Sequence, residues 1–437
     1  MPEQLRRCLA RPLDAASLAA FRAVFGGLVF VGTVRLLAKG FVREAFIVPH
    51  IFFPPWPFED LIRPLPGIGM YVVFVAIALS ALALSLGLVT RLAAALVCVL
   101  FTYAHFVDLT NYLNHYWLVT LLAGLLVVVP AGGTLSLDAH LWPSNRRHEV
   151  PAWGLYLLRF QVAVVYFFAG FAKLKHDWFF DAQPLWTWLL ANTDTPILGS
   201  FFRYEWVAYA MSWGGAFFDL TIVAWLLWRR SRPLGYAAVV VFHLLTARLF
   251  NIGMFPFFMI AASLLFLDPG WPRRFLHRRA PVAIRQTVSR VPWVPLTLYA
   301  AVQIAVPLRS FLYGGNVLWH EQGYRFSWNV MLMEKMGSAE FSLVDRASGT
   351  RRIVRMRDHV TPSQEKALAT QPDMLLAFAR HLKRAEAREG RDIEVHADVF
   401  VVLNGKRSAR LLDPNVDLSS EEDGLASKTW ILPWAQP

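Results

Sequence analysis

Apolar runs close to the length of a bilayer crossing fill the chain up to about residue 310, and charged residues crowd the remainder. A hydrocarbon core takes about 20 apolar residues of helix. Nine runs meet or approach that length: 18–38, 70–88, 91–108, 115–131, 155–173, 206–228, 233–250, 252–267 and 292–310. The eighth is short, which suits a tilted or partly re-entrant helix. The segment 184–192 is too short to cross, and its Trp186 and Trp188 suit a membrane interface.

After residue 310 the pattern changes to that of a soluble domain. Residues 341–345 and 350–358 read as a strand pair around an Ala-Ser-Gly turn, and 363–388 as helix broken at Pro372. Gly390 is a stop signal, 392–404 alternates as a strand, and Asn404-Gly405 suits a hairpin turn. The fold class expected is an all-α polytopic membrane domain, 1–310, followed by a small α+β extramembrane domain, 311–437.

Composition agrees. Hydrophobic residues make up 56% and charged residues 17% of the 437, against about 25% charged in an ordinary soluble domain. The net charge of +12 does not point to nucleic acid, because the basic residues sit mainly between apolar runs. There they set topology and favour anionic membrane lipid. With Arg6, Arg7 and Arg11 in the cytoplasm, nine crossings put Arg91, Arg146–Arg147, Arg229–Arg232 and the Arg-rich 268–291 on the same side, and 311–437 outside. Cys8 and Cys98 are not expected to pair, no N-glycosylation sequon occurs and no cleavable leader is evident. These features lean to a bacterial inner membrane, with the C-terminal domain periplasmic or extracellular.

Ionisable residues at membrane depth need a reason. Lys173 closes the fifth run in Tyr-Phe-Phe-Ala-Gly-Phe-Ala-Lys-Leu, and His115 opens the fourth in Asn-Tyr-Leu-Asn-His-Tyr-Trp. Both fall near the outer face, so a shared site is open to them. A poorly solvated lysine favours its neutral amine, which can act as a general base. A neighbouring histidine can stabilise negative charge. Against this, a terminal lysine often snorkels to the interface. His243 and Arg248 are further polar groups within a run that can simply bridge helices, and Asp219, an acid well inside a span, can pair with a cation in the bundle or carry function. Gly214-Gly215 reads as a place of close helix contact. There is no zinc spacing, P-loop or dinucleotide fingerprint.

Several segments, in order along the chain, resemble the vitamin K-dependent γ-glutamyl carboxylase family with its HTTM-type membrane domain. They are Asn114-His115; Tyr166 to Leu174 followed by Asp177-Trp178; Phe242-His243; Leu249 to Phe255; Gly323 to Trp328; and Leu412 to Asp417. The resemblance implies catalytic roles for Lys173 and His115. It also implies substrate or quinone contacts for Asn114, His243, Arg248, Tyr166 and Trp328. Departures are Met333 where vertebrate members carry histidine, and Tyr112 where tryptophan is usual.

The implied chemistry uses reduced vitamin K (phylloquinone or menaquinone hydroquinone), with O2 and CO2 as co-substrates and no metal. The lysine deprotonates the quinol, and quinol oxidation to the epoxide generates a base strong enough to take a γ-proton from a peptide glutamate. CO2 then adds. The expected partners are a glutamate-containing peptide, membrane quinol and lipid. Two other readings stand beside this one: a quinol epoxidase without carboxylation, and a non-catalytic membrane binding module.

Overall fold

The computed structural model describes residues 3–276 and 291–434. Arg278, Arg279, Arg285 and Arg290, four of the cations used to orient the chain, lie outside the described residues. Helices dominate the first three-quarters. They are α1 Ala16–Ala38, α2 Gly69–Leu86, α3 Thr90–Phe106, α4 Asn114–Val128, α5 Ala152–Ala172, α6 Glu205–Leu227, α7 Arg232–Leu249, α8 Phe255–Ser263 and α9 Trp293–Leu308.

Among the described residues five helices are long and apolar enough to cross a membrane: α1, α2, α5, α6, and α9 with its continuation to Leu312. The other four expected runs also fold as helix, but α3, α4 and α8 are short. The cause is local. Asp108 leaves the helix to accept from the Thr110 N–H at 2.9 Å, which opens a new turn, and Pro130 follows the end of α4.

One end of the bundle is tied by Arg22, buried in α1. Its guanidinium donates to the carbonyls of Leu84 (2.9 Å), Ser85 (3.1 Å) and Leu135 (2.6 Å), satisfying the last turn of α2. The pairing of β1 (Pro12–Asp14) with β2 (Glu149–Pro151) closes the same end. The tight contact between α1 and α2 falls at Gly26, where a Cβ would lie 2.5 Å from Ser85 N. Gly214 and Gly215 are not close-contact positions: a Cβ on Gly214 meets nothing within 4 Å, and one on Gly215 only Trp178 at 3.9 Å.

The C-terminal region is an antiparallel sheet with two helices. The strands β3 (Lys335–Asp345), β4 (Arg351–Val354), β5 (Ile393–Leu403) and β6 (Ala409–Arg410) run in the order β4-β3-β5-β6. Pro372 divides the helical stretch into α10 (Pro362–Leu368) and α11 (Pro372–Arg388), and a Thr361/Gln364 capping box starts α10. Asn404 and Gly405 both take positive φ, 50° and 73°, as the hairpin turn into β6 requires.

This region is not a separate globule. Its apolar core, with Phe341 and Phe378, is continuous with Ile51, Trp178 and Leu185 of the helical part. Gln364 Nε2 donates at 2.8 Å both to the Ile51 carbonyl and to Asp108 Oδ2.

Burial beyond the end of α3 pushes the Asp108 carboxyl up from 3.8 to about 6. A raised carboxyl contributes stability that is fully present below about pH 4 and lost as pH rises through about 6. The thermal midpoint of the detergent-solubilised protein should therefore carry a component that falls between about pH 4 and about pH 6, from the ordinary to the raised value. Asp108→Asn, which stays neutral, should flatten this component. Identical pH profiles for the two proteins would count against it.

Candidate active site

Lys173 follows the last residue of α5, but its side chain does not extend outward. It runs back along its own helix, and Nζ donates to the Ala169 carbonyl at 3.3 Å and to Asp219 Oδ2 on α6 at 2.8 Å. Lys173 is 5% and Asp219 6% exposed, so this lysine does not snorkel to the interface. Lys173 is one half of a buried ion pair, and Asp219, on another helix, is the acid that pairs with a cation in the bundle.

Gly170 makes that pair reachable. A Cβ there would lie 2.9 Å from Leu220 N and 3.0 Å from Asp219 Cβ, so any side chain would force α5 and α6 apart. Trp178 packs its ring 5.4 Å from Nζ, a cation–π distance. The indole is itself fixed by an Nε1–H bond to the Ser212 carbonyl at 3.0 Å.

A cavity of about 70 Å³ lies beside the pair. Lys173, Asp219, Tyr166, His243 and Thr246 form its polar part, and Phe242, Phe250, Phe255 and Met259 are among its apolar walls. The Tyr166 hydroxyl is 3.0 Å from His243 Nε2 and 3.3 Å from Ser263 Oγ. His243 Nδ1 is buried with no partner among the described residues.

His115 lines a second cavity, of about 320 Å³, with Asn114, Arg35 and Asn251. The two cavities share a wall: Ile252, Phe255, Val330 and Met331 line both. The Phe255 ring stands 6.0 Å from that of His115 and 6.1 Å from that of His243. Lys173 and His115 thus occupy neighbouring compartments, where the sequence suggested one pocket.

Asn114 organises the wall. It accepts from the Tyr112 hydroxyl at 3.0 Å and donates to the Asn329 carbonyl at 3.2 Å, while Tyr112 accepts from the Phe326 N–H at 2.8 Å. These bonds hold a loop in which Phe326, Trp328 and Met331 take φ of 62°, 58° and 56°, a region costly for side-chain-bearing residues. Trp328 is fully buried in the helical core and lines neither cavity. Arg248 is exposed and also lines neither.

Sequence reading missed the part played by Ser263, Val330 and Met331. Ser263 looks like any small polar residue in an apolar run. The two wall residues lie on a loop with no local signal.

Residues 10–271 match the HTTM domain, which covers more than half of the chain, and the apolar helices agree that this is a membrane protein. Residues 289–436 match the vitamin K-dependent gamma-carboxylase lumenal domain. The chain belongs to the vitamin K-dependent gamma-carboxylase family. No solved structure matches it.

Removing one member of a buried pair leaves the other charge without compensation, at a cost of about 3–5 kcal/mol. Lys173→Ala should therefore lower the unfolding midpoint in detergent sharply. The double variant Lys173→Met/Asp219→Leu, which removes both charges at similar volume, should recover most of that loss. A single variant as stable as the wild type would show that the pair is not formed.

Proposed function

We propose that the protein is a vitamin K-dependent γ-glutamyl carboxylase-like enzyme, with Lys173 as the base that receives a quinol proton. The observation that carries this reading is the buried Lys173 Nζ facing a largely apolar cavity in a chain with both carboxylase-family domains. When bound, reduced vitamin K supplies, through its oxidation by O2, the strong base that a side chain cannot supply; that base takes the glutamate γ-proton before CO2 adds.

The residues fit such a ring system in character. Aromatic and aliphatic walls suit a fused ring, and Lys173, Tyr166 and His243 offer polar groups to its hydroxyls. In size the Lys173 cavity alone does not suffice. Its 70 Å³ is less than the about 150 Å³ of an engineered cavity that accepts benzene. A naphthoquinol therefore requires displacement of the Phe255–Met331 wall and use of both compartments.

In this reading Asp219 fixes the lysine amine and exchanges a proton with it, so that the amine can accept the quinol proton without leaving a lone buried charge. The apolar walls keep water from the strong base. In the same reading His115, on the far side of Phe255, assists at the glutamate carbanion. Its nearness to Arg35 and Asn114 supports recognition of an anionic side chain there. The arginine distribution supports a cytoplasmic N-terminus, with the lumenal-type domain on the opposite side.

The test supplies the purified protein with reduced menaquinone or vitamin K, O2, labelled bicarbonate and a glutamate-containing peptide. Label in the peptide together with quinone epoxide is the expected result. The double variant Lys173→Met/Asp219→Leu should lose about 10²–10⁴ in quinol oxidation. Epoxide without label would replace the carboxylase by an epoxidase, and neither product from folded protein would point to a non-catalytic binding module.

A further inference from the structure

We propose that a cavity at the end of the helix bundle opposite Lys173 binds the head group of a phospholipid carrying both a phosphate and an amine. The cavity, about 890 Å³, lies where α3 and α5 begin and α4 ends. Those are the ends of apolar helices, so its depth is that of lipid head groups. It is independent of the quinol site: Lys173 closes α5 at the other end, and no described residue lines both cavities.

Four charged side chains line it: Arg91, Arg147, Asp138 and Glu149. Asp138 is already used. It accepts from the Val89 N–H at 2.6 Å, the Thr90 N–H at 2.8 Å and the Thr90 hydroxyl at 2.7 Å. The N-terminus of α3 is thereby closed to any outside anion.

Arg91 and Arg147 make no ion pair among the described residues and are exposed to the cavity. Two guanidinium forks suit a phosphodiester, whose oxygens they can grip in pairs. Glu149, half-buried and without an ion-pair partner among the described residues, leaves one negative charge for a cation. A head group with one phosphate and one primary ammonium, whose N–H groups can donate to that carboxylate, matches this set. A purely anionic head group would face Glu149 uncompensated.

Trp153 lines the same wall, with its indole Nε1 buried away from the open space. Trp142, at the same level, is 44% exposed, as a residue of the interfacial belt would be. Leu92, Val128 and Val129 continue the wall towards the apolar part of the bundle, where an acyl chain would lie.

The test is native mass spectrometry of the full chain, purified in mild detergent and offered equal amounts of phosphatidylethanolamine, phosphatidylglycerol and phosphatidylcholine. Phosphatidylethanolamine should be retained in preference to both others. Arg91→Ala/Arg147→Ala should weaken retention about fivefold for each arginine removed, while Arg91→Lys/Arg147→Lys, which holds the charge, should lose less. Glu149→Gln should keep lipid but lose the preference for the amine. Inorganic phosphate or glycerophosphoethanolamine in excess should not displace the lipid. Equal retention of phosphatidylglycerol or phosphatidylcholine, wild-type retention by the double alanine variant, or displacement by free phosphate would each overturn the proposal.

Discussion

The ion pair between Lys173 and Asp219 sets the terms for the rest of the structure. Two opposite charges buried among apolar helices are tolerable only if they meet at hydrogen-bond distance, and here they do at 2.8 Å. That requirement brings α6 against α5 at Gly170, turns the lysine side chain inward to the Ala169 carbonyl, and places Trp178 over the ammonium. A cavity with further polar side chains, Tyr166, His243 and Thr246, opens beside it. The same requirement explains why a charged residue survives at the end of a helix made mainly of phenylalanine, alanine and valine.

The second compartment depends on a different kind of contact. Asn114 and Tyr112 grip the 326–331 loop, and the loop delivers Val330 and Met331 to the partition between Lys173 and His115. Three residues of that loop hold left-handed backbone angles. The neighbouring chain also carries the sheet region, whose core is continuous with Trp178 and Leu185. Seating of the C-terminal region and the shape of the site are therefore mechanically connected, with Gln364 and Asp108 among the fastening points.

Much of this was legible in the chain. The apolar runs pointed to the helices, Pro372 to the helix break, and Asn404-Gly405 to the hairpin, because each is a local property. The lysine and histidine stood out because charge and imidazole are rare in apolar runs. Which distant groups meet was not legible. Asp219 is 46 positions from Lys173, and nothing in either segment announces the other. Gly214-Gly215 looked like the close-contact glycines, yet Gly26 and Gly170 are, since contact depends on which face the neighbouring helix presents. Helix lengths were overestimated where Asp108 and Pro130 end the helix inside an apolar run.

The most direct measurement of the proposed quinol site is photoaffinity labelling of the protein in lipid nanodiscs with a diazirine-bearing naphthoquinone, with the labelled peptides then mapped. Labels should fall on peptides containing Tyr166, His243, Phe255 or Met331, and unlabelled vitamin K should suppress them. Labelling confined to lipid-facing positions such as Phe217 and Val241, which are 62% and 66% exposed, or labelling that vitamin K does not suppress, would contradict the assignment.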